Sequence, residues 1–162
     1  MLLHILRHAW AEDRDSEKFP NDDLRPLTGE GKKRFGKAVE RYIDGGCRPT
    51  IVATSPLVRC RQTADILLKH LPHKTELVEL DALRPGSNLD ELIAWTNQQS
   101  VEELAWVGHA PDVSDLAAAL IGDGTAAIRF AKGALATIRF DNPIDRAGGE
   151  LCVLATAKLF SL

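Results

Sequence analysis

Short β-branched or leucine-rich runs alternate four times with longer segments whose apolar residues recur every three or four positions. This alternation constrains the fold more than any other feature of the chain. Strand followed by helix, repeated, aligns successive strands in parallel and carries a helix across the sheet between them. The runs are residues 2–6, "TIVATS" (50–55), "ELVEL" (76–80) and "LAWVGH" (104–109). The first intervening helix is capped by Thr28, shows Phe35, Val39, Tyr42 and Ile43 on one stripe, and ends at Gly45-Gly46. The second carries Ala64, Leu67, Leu68 and Leu71, and the third starts at Ser87 with Leu89, Leu92, Ile93 and Thr96 on one side. "DVSDLAAAL" (112–120) is the fourth. The tail departs from this rhythm, with strands predicted at "ALATIRF" (134–140) and "ELCVLATAKLF" (150–160) around a Pro/Gly loop, as in a hairpin. The expected fold is α/β: a three-layer α/β/α sandwich on a mostly parallel sheet, one domain spanning residues 1–162.

Composition excludes several functional classes. The net charge is −3, so no basic surface is expected to attract nucleic acid or anionic lipid. No apolar stretch approaches the roughly 20 residues of a membrane span. The N-terminal run, broken by His4 and closed by Arg7, does not read as a signal peptide, and the expected location is cytoplasmic. Cys47, Cys60 and Cys152 form no C-x-x-C pair, which argues against a disulfide framework and a thiolate zinc site and for reduced thiols. The sequence carries no signal for an oligomeric state.

In an open parallel sheet, ligands bind beyond the carboxyl ends of the strands. The first run ends in Arg7-His8, and the second leads into "SPLVRCRQT" with Arg59 and Arg61. The third leads into "DALRPGSN" with Asp81 and Arg84, and the fourth ends at His109. Histidines and arginines gathered at one sheet edge, with helix N-termini aimed at it, suit a phosphoryl group. A neutral imidazole is a competent nucleophile toward phosphorus, and a second imidazole stabilises charge or passes a proton. Arginines neutralise the charge without a metal.

"LRHA", "RPLTGEGKKR", "SPLVRCRQTA" and "VGHAPDVSDL", in this order and on these elements, resemble the histidine phosphatase superfamily, and more narrowly its SixA-type phosphohistidine phosphatases. The resemblance covers the chain from Leu3 to about Phe140 and implies the phosphoglycerate mutase-like sandwich. It implies His8 as the nucleophile that becomes phosphorylated, Arg7 and Arg59 as holders of the phosphoryl group, and His109 as the residue completing the pocket. It implies no cofactor, and a histidine-phosphorylated protein as substrate.

The departures concern substrate. R-H-A stands where R-H-G is common, and "WAED" follows where the mutase branch has Ser and Asn, which disfavours mutase chemistry. The general acid of larger members aligns near Pro85, and Asp81, Asp90 and Glu91 nearby do not sit convincingly. A general acid contributes about 10²–10⁴-fold, which an alcohol leaving group needs and a protonatable imidazole does not. The gap therefore favours P–N over P–O cleavage. A small-molecule phosphomonoesterase of the same superfamily and a non-catalytic phosphoprotein-binding module are the alternatives; the intact His8 speaks against the second.

Other readings are bland. Arg61 is expected to face elsewhere, Thr28 to cap, His4 to pack within its strand, and His70 and His73 to lie on the surface rather than bind metal. Asp65 and Thr63 are open either way, and Ser55 is equally a loop-positioning or a structural residue. Of the tryptophans only Trp10 falls beside the pocket. C-x₅-R fails at all three cysteines, since Ala53, Ile66 and Lys158 occupy the arginine position. "DRDSE" lacks the strand that precedes a D-x-D phosphatase motif, and "GEGKKRFG" matches neither nucleotide-loop pattern.

Overall fold

The computed structural model describes residues 1–162. Six strands form one sheet: β1 (Leu2–Arg7), β2 (Ile51–Thr54), β3 (Glu76–Glu79), β4 (Glu103–Gly108), β5 (Leu135–Arg139) and β6 (Glu150–Ala155), ordered β3-β2-β4-β1-β5-β6. The first four run parallel, and β5 and β6 add as an antiparallel hairpin beside β1. The helices are α1 (Gly29–Asp44), α2 (Val58–His70), α3 (Leu89–Thr96) and α4 (Asp112–Ile121).

Strand alternation sends side chains into two cores, one on each face of the sheet. Leu6 of β1 with Ala105 and Val107 of β4 packs against Phe35 and Val39 of α1 and Ala64 and Leu67 of α2. Leu3 and Ile5, with Leu104 and Trp106, pack against Leu92 of α3 and Val113, Leu116 and Leu120 of α4. Each fully buried Leu or Ile contributes about 1.5–3 kcal/mol, so both faces are strongly specified. Trp106 is completely buried, and its indole N–H is matched by Thr96 Oγ1 at 3.1 Å. His4 is the buried polar side chain in the middle of β1; its ring pairs with Thr137 Oγ1 at 2.9 Å and Glu103 at 3.1 Å.

Helix α1 starts as its sequence predicts, with Thr28 Oγ1 accepting the Gly31 N–H at 2.9 Å. Gly31 has to be glycine, because a Cβ there would lie 2.3 Å from the Trp10 carbonyl oxygen. Two boundaries differ from expectation. Helix α3 begins at Leu89 behind an Asn88 cap, not at Ser87. The predicted strand over 150–160 stops at Ala155, and Ala157–Phe160 turns into a 3₁₀ helix. Phe160 meets Tyr42 of α1 edge-on there, with ring centroids 5.9 Å apart, so burial against α1 overrides the β-branched pattern. No helix is long and apolar enough to cross a membrane.

Candidate active site

Register builds the site. β1 pairs with β4 so that Arg7 lies opposite Gly108, and the next residue of each strand is a histidine. His8 donates its backbone N–H to the Gly108 carbonyl at 3.0 Å, and Ser55, leaving β2, donates to Val107 at 3.0 Å. His8, His109 and Ser55 therefore leave neighbouring strands in step. The two imidazole centroids are 5.4 Å apart, with the rings inclined at 61°. Both histidines are buried.

Hydrogen bonding fixes the His8 tautomer. Its Nδ1 lies 2.8 Å from the Ala9 carbonyl oxygen, which can only accept. Nδ1 thus carries the proton and Nε2 holds the lone pair. The backbone around it is pinned as well: the Ala9 N–H donates to Thr63 Oγ1 at 3.0 Å, and Thr63 donates to the Arg59 carbonyl at 2.7 Å. His109 Nε2 lies 2.9 Å from Ser55 Oγ and 3.4 Å from the sulfur of Cys60.

Burial is the main cause that lowers the His8 pKa to about 4, and the charges of Arg59, Arg7 and Arg25 lower it further against the Ala9 bond. His109 is lowered to about 3, again by burial first, then by Arg59 and His8. Both rings are neutral at neutral pH.

Three arginines surround them. Arg7 donates Nη1 to the Phe130 carbonyl at 2.9 Å, and Arg59 donates Nη1 to the Asp22 carbonyl at 2.9 Å. The Nε of each is buried without a partner, and the Nη2 of each makes no hydrogen bond within the protein. Arg25 donates to the Asp22 carboxylate at 2.7 Å and to the Glu12 carbonyl at 2.7 Å. These contacts fold residues 11–26 back over the site, with an isolated bridge between Ala11 and Leu27 closing the loop.

Arg7, His8, Arg59 and His109, the four residues predicted from sequence, line one cleft of about 460 Å³. Arg25 and Lys132 line it too, so the cleft is locally cationic in a chain of net charge −3. Sequence reasoning missed Arg25, although "RPLTGEGKKR" begins with it; only its Thr28 was given a role. Ser55 proves to be the partner of His109.

Pro85 lines the cleft wall where a general acid aligned. Asp81 pairs with Arg84 at 2.7 Å and Asp90 with Arg146 at 2.7 Å, and Asp81, Asp90 and Glu91 lie outside the lining. The carboxylates that do line it are Glu12, Asp13 and Asp112. Arg61 faces outward to Asp65 and Glu79, His70 bonds the Ile66 carbonyl, and His73 is exposed. Trp10 stacks under Arg34, with the guanidinium 4.1 Å from its ring centroid. No group of three His, Cys, Asp or Glu side chains is arranged to hold a metal ion.

The family model of the histidine phosphatase superfamily (branch 1) matches residues 3–109, from β1 to the second histidine of the cleft. The chain belongs to the histidine phosphatase superfamily. An uncharacterised protein of Picosynechococcus sp. PCC 7002 is 34% identical over 125 residues, covering 74% of this chain and 73% of that one. Among solved structures, the protein histidine phosphatase SixA in complex with tungstate superposes with a TM-score of 0.85 at 21% identity, covering 99% of both chains. The α-ribazole phosphatase of Shigella flexneri superposes with a TM-score of 0.69 at 17% identity, covering 97% of each. These likenesses show that the α/β sandwich of this histidine phosphatase superfamily member is the superfamily's phosphoglycerate mutase-like fold, and membership supports phosphatase chemistry.

Proposed function

We propose that the protein is a phosphatase that removes the phosphoryl group from phosphohistidine on a protein, through a covalent phospho-His8 intermediate and without a metal. The observation that carries this reading is the His8 ring: its Nδ1 proton is tied to Ala9, its Nε2 lone pair is free, and Arg7, Arg25 and Arg59 stand around it.

Arg7 and Arg59 hold the phosphoryl oxygens, each with its Nη2, which makes no hydrogen bond within the protein. His8 Nε2 attacks phosphorus; the P–Nε2 bond forms as the bond from phosphorus to the substrate imidazole breaks. The leaving ring, already protonated by solvent on its other nitrogen, keeps the electron pair of the broken bond and departs as neutral histidine. His109, neutral and held by Ser55, stabilises the transferring group as a hydrogen-bond donor and relays a proton. Water then attacks phosphorus, inorganic phosphate is released, and His8 is restored. The arginines supply the positive charge that a metal would otherwise bring.

Pro85 in the cleft wall supports phosphohistidine as the substrate, since it offers no proton to an alkoxide. Glu12, Asp13 and Asp112 favour a second reading, a small-molecule phosphomonoesterase in which one of them is the acid. Phosphate release from a histidine-phosphorylated protein, a phosphoserine peptide and an aryl phosphate, for wild type and His8→Ala, separates the two. Release from phosphohistidine, lost in His8→Ala and unaffected by EDTA, is expected. Faster turnover of the esters would replace the first reading with the second. Tight phosphoprotein binding with no His8-dependent release would identify a binding module.

A further inference from the structure

A second recess opens beside the cleft. It encloses about 510 Å³ and shares Ala110 and Pro111 with the cleft, so the two are continuous across the turn that follows His109. Its floor is apolar, made by Ala126, Ala127, Ile128 and Phe130, on a segment between α4 and β5 that has no regular structure. Phe130 ties this floor to the chemistry, because its carbonyl oxygen is the acceptor that holds Arg7. Asp115 and Arg129 also line it, both exposed and neither in an ion pair.

A phosphoryl group and the imidazole that carries it are accommodated by the cleft alone, whose 460 Å³ already falls in the usual range of small-molecule sites. A further apolar recess of similar size, joined to the cleft through Ala110 and Pro111, has nothing to do for so small a substrate. Its lining suits polypeptide instead: an apolar floor for a side chain, and one free charge of each sign to meet charged side chains of a docked segment.

We infer that this recess is the docking shelf for the polypeptide segment that flanks the phosphorylated histidine, and that it seats an apolar side chain adjacent to that histidine. This rests on the phosphohistidine reading above. The shelf makes the protein select phosphohistidine in a peptide over free phosphoramidates through binding rather than chemistry.

The test compares two P–N substrates on wild type, Ala127→Glu and Arg129→Glu. One is a histidine-phosphorylated protein with an apolar residue beside the phosphohistidine; the other is phosphoramidate. Ala127 and Arg129 are exposed and lie outside the cleft lining, so both variants are expected to fold and to hydrolyse phosphoramidate within about twofold of wild type. On the protein substrate, kcat/KM is expected to fall about tenfold, chiefly through KM, since the lost contacts act equally in the ground and transition states. Replacing the apolar neighbour in the substrate by Asp is expected to produce the same loss on wild type. Unchanged KM for the protein substrate in both variants, or equal losses on both substrates, would overturn the shelf while leaving the phosphohistidine reading intact. Failure of wild type on either P–N substrate, with His8-dependent turnover of esters, would instead overturn the reading and the shelf together.

Discussion

The imidazole of His8 donates its Nδ1 proton to the carbonyl oxygen of the very next residue, Ala9, at 2.8 Å. The ring is thus oriented by its own backbone, and the same peptide is anchored through the Ala9 N–H to Thr63. A side chain that keeps the imidazole's size but not its nitrogens loses the reaction without disturbing the cores. His8→Phe and His8→Ala are expected to lower phosphate release by at least about 10³-fold, with far-ultraviolet circular dichroism unchanged. Wild type quenched during turnover is expected to carry an acid-labile, alkali-stable phosphoryl group that both variants lack; an equal label in His8→Ala would place the nucleophile elsewhere.

Acid should weaken the fold in a defined window. His8 titrates near 4 and His109 near 3 in the folded protein, against an ordinary imidazole value of 6.5. Between about 6.5 and about 3 the unfolded chain binds protons that the folded chain refuses. Stability therefore rises with pH through that window and is lost on acidification. Urea midpoints at pH 7 and pH 4.5 measure this, and His8→Asn should flatten the difference. The acid limb of kcat/KM should likewise fall below the ordinary histidine range, as a macroscopic property of the coupled pair.

Ser55 is expected to act on His109 without touching substrate. Ser55→Ala removes the hydroxyl 2.9 Å from His109 Nε2 and frees the ring to turn. A loss of about tenfold in kcat with KM nearly unchanged is the signature of such positioning. Ser55→Thr, which keeps the hydroxyl, should restore part of it. A merely structural role would lower the melting temperature and leave kcat per folded molecule alone.

Arg25 couples charge to loop closure. Arg25→Ala removes its contacts with the Asp22 carboxylate and the Glu12 carbonyl, and with them a positive charge of the cleft. KM for a phosphorylated substrate should rise about tenfold, and limited proteolysis within residues 12–24 should quicken.

Two glycines two residues apart, Gly29 and Gly31, should respond oppositely. A Cβ at Gly31 meets the Trp10 carbonyl at 2.3 Å, so Gly31→Ala should destabilise the fold and displace the start of α1. At Gly29 nothing lies within 4 Å, and Gly29→Ala should stabilise by about 0.4–1 kcal/mol through the unfolded chain. Thermal unfolding of the two variants checks the pair.

Arg7, His8 and His109 were legible in the sequence because they sit where apolar runs end, and in a parallel sheet those ends converge. Arg59 was legible for the same reason, one turn into the helix that follows β2. Arg25 was not, for it belongs to a polar loop without period. Its place depends on Asp22, Glu12 and the Ala11–Leu27 bridge, contacts that no local pattern encodes. The pairing of Ser55 with His109 spans 54 residues and follows from β2 lying beside β4, which strand order decides and residue type does not. The end of β6 was misjudged because Thr156 and its neighbours keep a strand-like composition, while Phe160 gains more by packing on Tyr42.

The strand order has a consequence for how the chain is made. β1 lies between β4 and β5, so neither of its neighbours has been synthesised when it leaves the ribosome. At about 5–20 residues per second it waits several seconds for residues 103–108, and longer for 135–139, with both edges unpaired. His8 spends that interval without its cleft. The cleft therefore cannot assemble until residues 103–109 and then Phe130 and Lys132 have emerged, and during that time an apolar first strand needs shelter from its own kind.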